Sequence, residues 1–397
     1  MIEGRNFMSK QRFLKYEYPL AQFLYWVTCC ACSGFVAVYL QYKGLTDTAI
    51  GVVVGVYGVV SMVLQPILSK IVKKVSFFSA RKMILLILVV TSILFAVITF
   101  SRPIGWLTIL IFILINALNG CMIPLMSALG MEYINEKRNV NFGIARGFGS
   151  LGWAVSSVFI GFLLEKFSPE LIGYGYIISA SFMLVTIFVM EDLGQTFSAE
   201  TEEKEKKDSG LLKRCVNDKI LLFIALGILC NNISHALCTT YTINIVRNAG
   251  GNETAAGMAQ FFGAGSEMIG MVLCAVPLRK YVSIRVLKVS SIFYVLRFLF
   301  LIFAANLPMV MIGYALQGPS AGFCIPAAVY FVNERMLPSD RTQGQAVFNV
   351  VTSGIAAFFG NLIGGRMLDQ FGLTFTLTAC FVFALSGCIC IMTRRQK

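Results

Sequence analysis

Four ionisable side chains lie in stretches that are otherwise almost without polarity. Glu267, in FFGAGSEMIGM, stands twelve residues before Arg279, about 18 Å along a helix. A carboxylate on two methylenes cannot reach water from that depth, so Glu267 is placed either to take up and release a proton or to hold two helices together by a hydrogen bond. Arg297, in SSIFYVLRFLFLIF, is nine residues past Lys288 and equally deep. If the two faced each other, each would favour the other's charge; a purely structural counter-ion is the alternative. His235, the only histidine, sits in CNNISHALCTTY behind Asn231 and Asn232. An imidazole there can relay protons, because its unperturbed pKa lies near neutrality, or it can join helices by a hydrogen bond. Arg146 in NFGIARGFGSLGWA precedes Trp153 by seven residues, two helical turns, so both point the same way. A guanidinium and an indole on one stripe suit a hydroxyl-rich ring, through multiple hydrogen bonds and stacking on its apolar face. Snorkelling for the arginine and core packing for the tryptophan are the alternatives.

The elements that would position these groups are membrane helices. Of the 397 residues, 57% are hydrophobic and 13% charged, with mean hydropathy +0.76, a composition for a bilayer rather than for water. Twelve spans are expected, at 18–41, 48–72, 83–101, 105–133, 142–164, 171–190, 220–246, 255–278, 286–304, 308–332, 343–365 and 373–392, each long enough to cross a hydrocarbon core. No cleavable leader is recognisable, so the first span reads as an anchor. With both termini in the cytoplasm, Lys and Arg fall on the cytoplasmic side except for Lys43, Arg102, Lys166, Arg247 and Arg366 outside and Arg146 and Arg297 within spans, as the retention of basic loops requires. The net charge of +13 is thereby explained by helix ends facing anionic lipid, and no nucleic-acid partner is expected. The cysteines are scattered through spans as small apolar residues, without disulfide or metal spacing. GFGSLG fits the dinucleotide fingerprint formally but lies inside an apolar helix with no preceding strand; its glycines suit close helix contact instead.

The hydrophilic run from Glu191 to Lys219, containing SAETEEKEKKDSG, divides the spans six and six and reads as a flexible cytoplasmic linker. The expected organisation is a six-helix bundle over 1–190, a linker over 191–219 and a second bundle over 220–397. The halves are weakly alike: CMIPLMSALGMEYINEKR answers FCIPAAVYFVNERM, GFLLEKF answers GRMLDQFG, and Pro66 answers Pro277. The expected fold is thus an all-α membrane protein with two pseudo-symmetric six-helix halves. This resembles the major facilitator superfamily, whose central site lies between halves that rock alternately open.

FGIARGFGSLGWA resembles the fifth helix of the oligosaccharide:proton symporters, the lactose permease group. That resemblance implies a sugar-binding role for Arg146 and a stacking role for Trp153. It extends along most of the chain: LQP at 64–66 closes the second helix, GSEMIG matches the helix-eight glutamate at Glu267, and VLR matches the helix-nine arginine at Arg297. The departures are as informative. The helix-four carboxylate that pairs with the sugar-binding arginine falls near Ala128, leaving Glu132, one turn later, as its substitute. The helix-ten histidine and glutamate fall at Gln317 and Ser320, the helix-eleven lysine near Ser353, and the helix-seven aspartates are missing, with His235 and Cys238 nearby.

The expectation is therefore proton-coupled uptake of a sugar or glycoside through the cytoplasmic membrane by a monomer. Arg146, Trp153, Glu132, Glu267 and Gln317 are expected to bind substrate, and Glu267, Arg297 and His235 to couple it to protons. No cofactor or metal is expected, and membrane lipid is the other partner. The alternative is a nucleoside, aromatic-acid or drug carrier of the same fold, coupled or uncoupled. H-E-x-x-H does not occur, which disfavours an intramembrane enzyme.

Overall fold

A computed structural model of the chain describes residues 2–74, 79–101, 105–193, 217–336 and 341–394. Every regular element among them is a helix: α1 Ile2–Cys29, α2 Val36–Tyr42, α3 Asp47–Lys74, α4 Ala80–Ser101, α5 Gly105–Asn135, α6 Phe142–Lys166, α7 Leu171–Val189, α8 Lys219–Thr240, α9 Thr242–Asn248, α10 Glu253–Lys280, α11 Ser283–Ile302, α12 Leu307–Ala315, α13 Phe323–Arg335, α14 Arg341–Asn349 and α15 Ala356–Met392. Short π-helical turns join α1 to α2, α12 to α13 and α14 to α15. Most of the expected linker, 194–216, lies outside the described residues.

Nine of the described helical runs are long and apolar enough to cross a membrane, or ten if α1 and α2, bent by 45°, form one broken span. The shortfall from the expected twelve has two physical sources. Helix α11 has a span's length but carries Arg285, Lys288 and Arg297. The run Gly344–Met392 is 49 residues of nearly continuous helix, long enough for two spans, and Gly372 interrupts it with φ 75°, ψ 179°. Helix starts follow ordinary capping chemistry: the side chains of Asn141, Asp218, Asn252 and Asn306 accept the first free amides of α6, α8, α10 and α12, groups that would otherwise stay unsatisfied.

The chain forms two compact units, Met1–Tyr39 with Val56–Thr201 and Leu40–Gly55 with Glu202–Lys397. In the first, buried tyrosines tie α1 and α7 to α5: Tyr18 Oη donates to Met126 O at 2.9 Å, Tyr25 Oη to Asn119 O at 3.0 Å, and Tyr176 Oη to Asn119 Oδ1 at 2.9 Å. In the second, Ser234 Oγ donates to Cys380 O and Asn232 Nδ2 to Thr352 O, both at 2.8 Å. Such bonds carry weight here because apolar side chains gain nothing by leaving lipid tails for a protein interior. The segment Leu40–Gly55 is held in the second unit by carboxylates. Asp47 accepts from Gln41 Nε2 at 2.8 Å and Asn244 Nδ2 at 2.7 Å, and Asp369 accepts the backbone amides of Asp47 and Thr48 at 3.2 and 2.7 Å.

Candidate functional site

In the first unit the candidate residues gather on α1 and α6. Arg146 is exposed; its Nη1 donates to Ser150 Oγ at 3.3 Å, and its guanidinium lies 4.5 Å from the Trp26 ring centroid. Trp26 in turn meets Trp153 edge-on, with centroids 6.0 Å apart, and Tyr25 at 5.4 Å. The structure thus brings Arg146 and Trp153 together through a third side chain. Glycine makes this possible, since a Cβ on Gly149 would stand 2.3 Å from Trp26 Cδ1 and displace the indole. The result is an aromatic surface with a forked cation at its edge. It can stack one face of a ring and donate several hydrogen bonds to its substituents.

Glu132 does not join this group. It is buried near the end of α5. No ion pair between Glu132 and Arg146 occurs among the described residues. Arg81 and Lys82 lie 3.5 and 3.8 Å from Asp192, and Arg138 bonds Glu191 at 2.8 Å.

In the second unit, four of the candidates form one continuous chain. Gln317 Nε2 donates to Glu267 Oε2, and Gln317 Oε1 accepts from Arg297 Nη2 at 3.0 Å. Arg297 Nη1 lies 3.0 Å from His235 Nδ1. Glu267 and Arg297 are therefore joined through an amide rather than in direct contact. The amide orientation follows from its partners, because a guanidinium can only donate and a carboxylate can only accept. The same rule makes His235 Nδ1 an acceptor, so the imidazole is neutral with its proton on Nε2. While Arg297 holds it, Nδ1 cannot also take a proton.

Arg297 is fully buried, flanked by the rings of Tyr314 at 5.6 Å and Phe298 at 5.7 Å, with Cys238 Sγ 3.7 Å from Nη2. Its Nε finds no partner. A charge so far from water persists only where neighbours compensate it, which here falls to Gln317 and, beyond it, Glu267.

Local backbone sets this geometry. Gln317 immediately precedes the π-helical turn Gly318–Gly322, a form that recurs at functional sites because it re-aims side chains within a helix. Gly322 packs against the α10 backbone so tightly that a Cβ would lie 2.7 Å from Glu267 O. Ser290 Oγ donates to Ser320 O at 2.8 Å and steadies the turn.

Trp26 and the π-helical turn escaped the sequence reading. Trp26 stands in an apolar first span with no charge beside it, and its role comes from α6 packing against α1. Gly-Pro at 318–319 signals a local break but not its consequence for Gln317.

Residues 16–379 match the model of the MFS_1 like family. The maltose permease of Geobacillus stearothermophilus is 26% identical over 366 residues, covering 90% of this chain and 88% of the relative. An uncharacterized transporter of Bacillus subtilis, YwbF, is 22% identical over 71% of this chain and 69% of its own length. Among solved structures, the nucleoside transporter NupG superposes with TM-score 0.81 at 14% identity, over 96% of this chain and 98% of the other. The D-xylose-proton symporter superposes with TM-score 0.67 at 13% identity, over 96% and 95%.

Proposed function

The chain belongs to the MFS_1 like family of major facilitator superfamily transporters, and from that premise we propose that it carries out proton-coupled uptake of a sugar or glycoside by alternating access. The observation that carries the coupling is the chain Glu267–Gln317–Arg297–His235, in which Glu267 is the one carboxylate. Protonating Glu267 removes the negative charge that Gln317 relays to Arg297. The guanidinium must then lean on His235 and on substrate, so proton and substrate occupancy favour the same state. Release of the proton restores the chain and resets the carrier.

Arg146, with Trp26 and Trp153, supports a sugar as cargo: the fork of donors meets hydroxyls while the indoles cover the apolar face of the ring. Likeness to a maltose permease over most of both chains supports the same reading. The distribution of basic residues supports a cytoplasmic position for both termini. A nucleoside is the second reading, because an aromatic surface equally accepts a base.

The test is transport by purified protein in vesicles with an imposed proton gradient. Glu267→Gln should lose accumulation against a concentration gradient while retaining exchange of labelled for unlabelled sugar. Undiminished accumulation by this variant would refute the coupling role, and uptake of nucleosides but not sugars would replace the cargo while leaving the coupling intact.

A further inference from the structure

The second unit has a cleft that carriage of a polar solute leaves unexplained. It lies where the end of α10 and the start of α11 meet the beginning of α13, encloses about 290 Å³, and is lined by Pro277, Tyr281, Arg285, Val286, Val289 and Phe323. Four of these side chains, Pro277, Val286, Val289 and Phe323, are apolar. Along α10 the same apolar surface continues through Val272 and Val276, exposed by 70% and 69%, and Val289 on α11 is 45% exposed.

At one end this surface meets concentrated positive charge. Arg279, Lys280 and Arg285 are all exposed, and none of the ion pairs among the described residues involves them. Lys280 lies over the Tyr281 ring at 5.5 Å. The neighbouring acid, Glu334, accepts from Ser283 Oγ at 2.6 Å. A mostly apolar slot with Arg285 in its wall, and with Arg279 and Lys280 close to it in sequence at the end of α10, offers few groups to a polyhydroxylated solute. It matches a molecule with a hydrocarbon tail and an anionic head.

We propose that this cleft binds an anionic phospholipid, its acyl chain lying against Val286, Val289 and Phe323 and its phosphate held by Arg285 with Arg279 and Lys280 at the rim. The guanidinium fork of Arg285 fits two phosphate oxygens at once, and basic residues beside a membrane helix attract anionic headgroups. Tyr281, apolar along its ring and polar at its tip, suits the boundary between the two parts.

The experiment titrates delipidated full-length protein with phosphatidylglycerol in detergent. It reads the melting temperature and the lipid retained per chain by native mass spectrometry, with phosphatidylcholine and inorganic phosphate as the other probes. A ligand that binds only the folded chain raises its melting temperature. Phosphatidylglycerol should raise it more than phosphatidylcholine, and inorganic phosphate should leave it unchanged. Arg285→Gln should weaken phosphatidylglycerol about fivefold, the equivalent of the roughly 1 kcal/mol that one basic residue contributes near an anionic surface. Val289→Trp, which fills the slot, should abolish retention of the lipid. Arg279→Gln with Lys280→Gln gives an independent headgroup variant should Arg285→Gln fold poorly. Equal shifts from both lipids would overturn the proposal, as would undiminished binding by the variants or a phosphate shift as large as the lipid's.

Discussion

Gln317→Leu tests the bridged arrangement most directly. The substitution keeps the volume of the side chain and removes both of its hydrogen bonds, to Glu267 Oε2 and from Arg297 Nη2. Each joins a neutral amide to a charged group, an interaction whose net contribution is about 1.5–3 kcal/mol. Arg297, fully buried, would keep His235 and Cys238 but lose the route by which Glu267 compensates its charge. The expected destabilisation is therefore about 3–5 kcal/mol, the range for breaking a buried charged network by removing one partner. Unfolding in mixed micelles gives that quantity, and a cycle with Glu267→Gln isolates the bridge from general packing. With the carboxylate neutralised, the bond left to Gln317 falls to the neutral value of about 1 kcal/mol, so the two substitutions should couple by about 0.5–2 kcal/mol. Gln317→His, the residue that the symporter resemblance implies at this position, can donate from one ring nitrogen and accept at the other. It should recover most of the lost stability. Additive single substitutions, or a Gln317→Leu protein as stable as the parent, would refute the bridge.

Trp26→Ala removes the ring beneath the Arg146 guanidinium. A cation–π contact at an exposed site is about 0.5–1 kcal/mol, so sugar affinity should fall about two- to fivefold in equilibrium binding, with little change in melting temperature. Gly149→Val, whose Cβ would occupy the place of Trp26 Cδ1, should lower affinity at least as much, and a variant that binds like the parent would count against the indole's role. At Asp218, burial pushes the carboxyl up, but Arg335 and the amides of Leu221 and Ile220 outweigh it and hold the group below the ordinary aspartate value. A depressed carboxyl contributes stability that is complete above its unfolded pKa. Asp218 should therefore support α8 throughout the neutral range and cease to do so only as pH falls below about 3.8. Asp218→Asn keeps the cap and loses the ion pair, so it should flatten that acid dependence. Asp218→Ala should cost about 1 kcal/mol more by losing the cap as well.

What could be read from the residues alone divides according to distance along the chain. The depth of Glu267 and Arg297 follows from counting residues to the nearest helix end. The shared direction of Arg146 and Trp153 follows from helical period, and both depend only on a helix being there. The role of Gln317 required knowing which side chains meet across three helices. Composition is silent on that, because a glutamine in an apolar span satisfies the same pattern whether it bridges charges or bonds its own backbone. Glu132 makes the converse point. Its distance from Ala128 suggests a substitute partner for Arg146, yet one turn along α5 rotates a side chain by about 40° and raises it about 6 Å. That displacement leaves it buried, with no ion pair to Arg146 among the described residues. The segment Leu40–Gly55, grouped with the second unit, depends on Asp47 and Asp369 finding amide donors more than 190 and 320 residues away in sequence. Its sequence alone reads as the ordinary end of one span and start of the next. Membrane helices leave this kind of information out of their sequences because lipid tolerates any apolar surface: the periodic stripe that would betray a buried face in water is weak here, and the polar exceptions carry nearly all of the specificity.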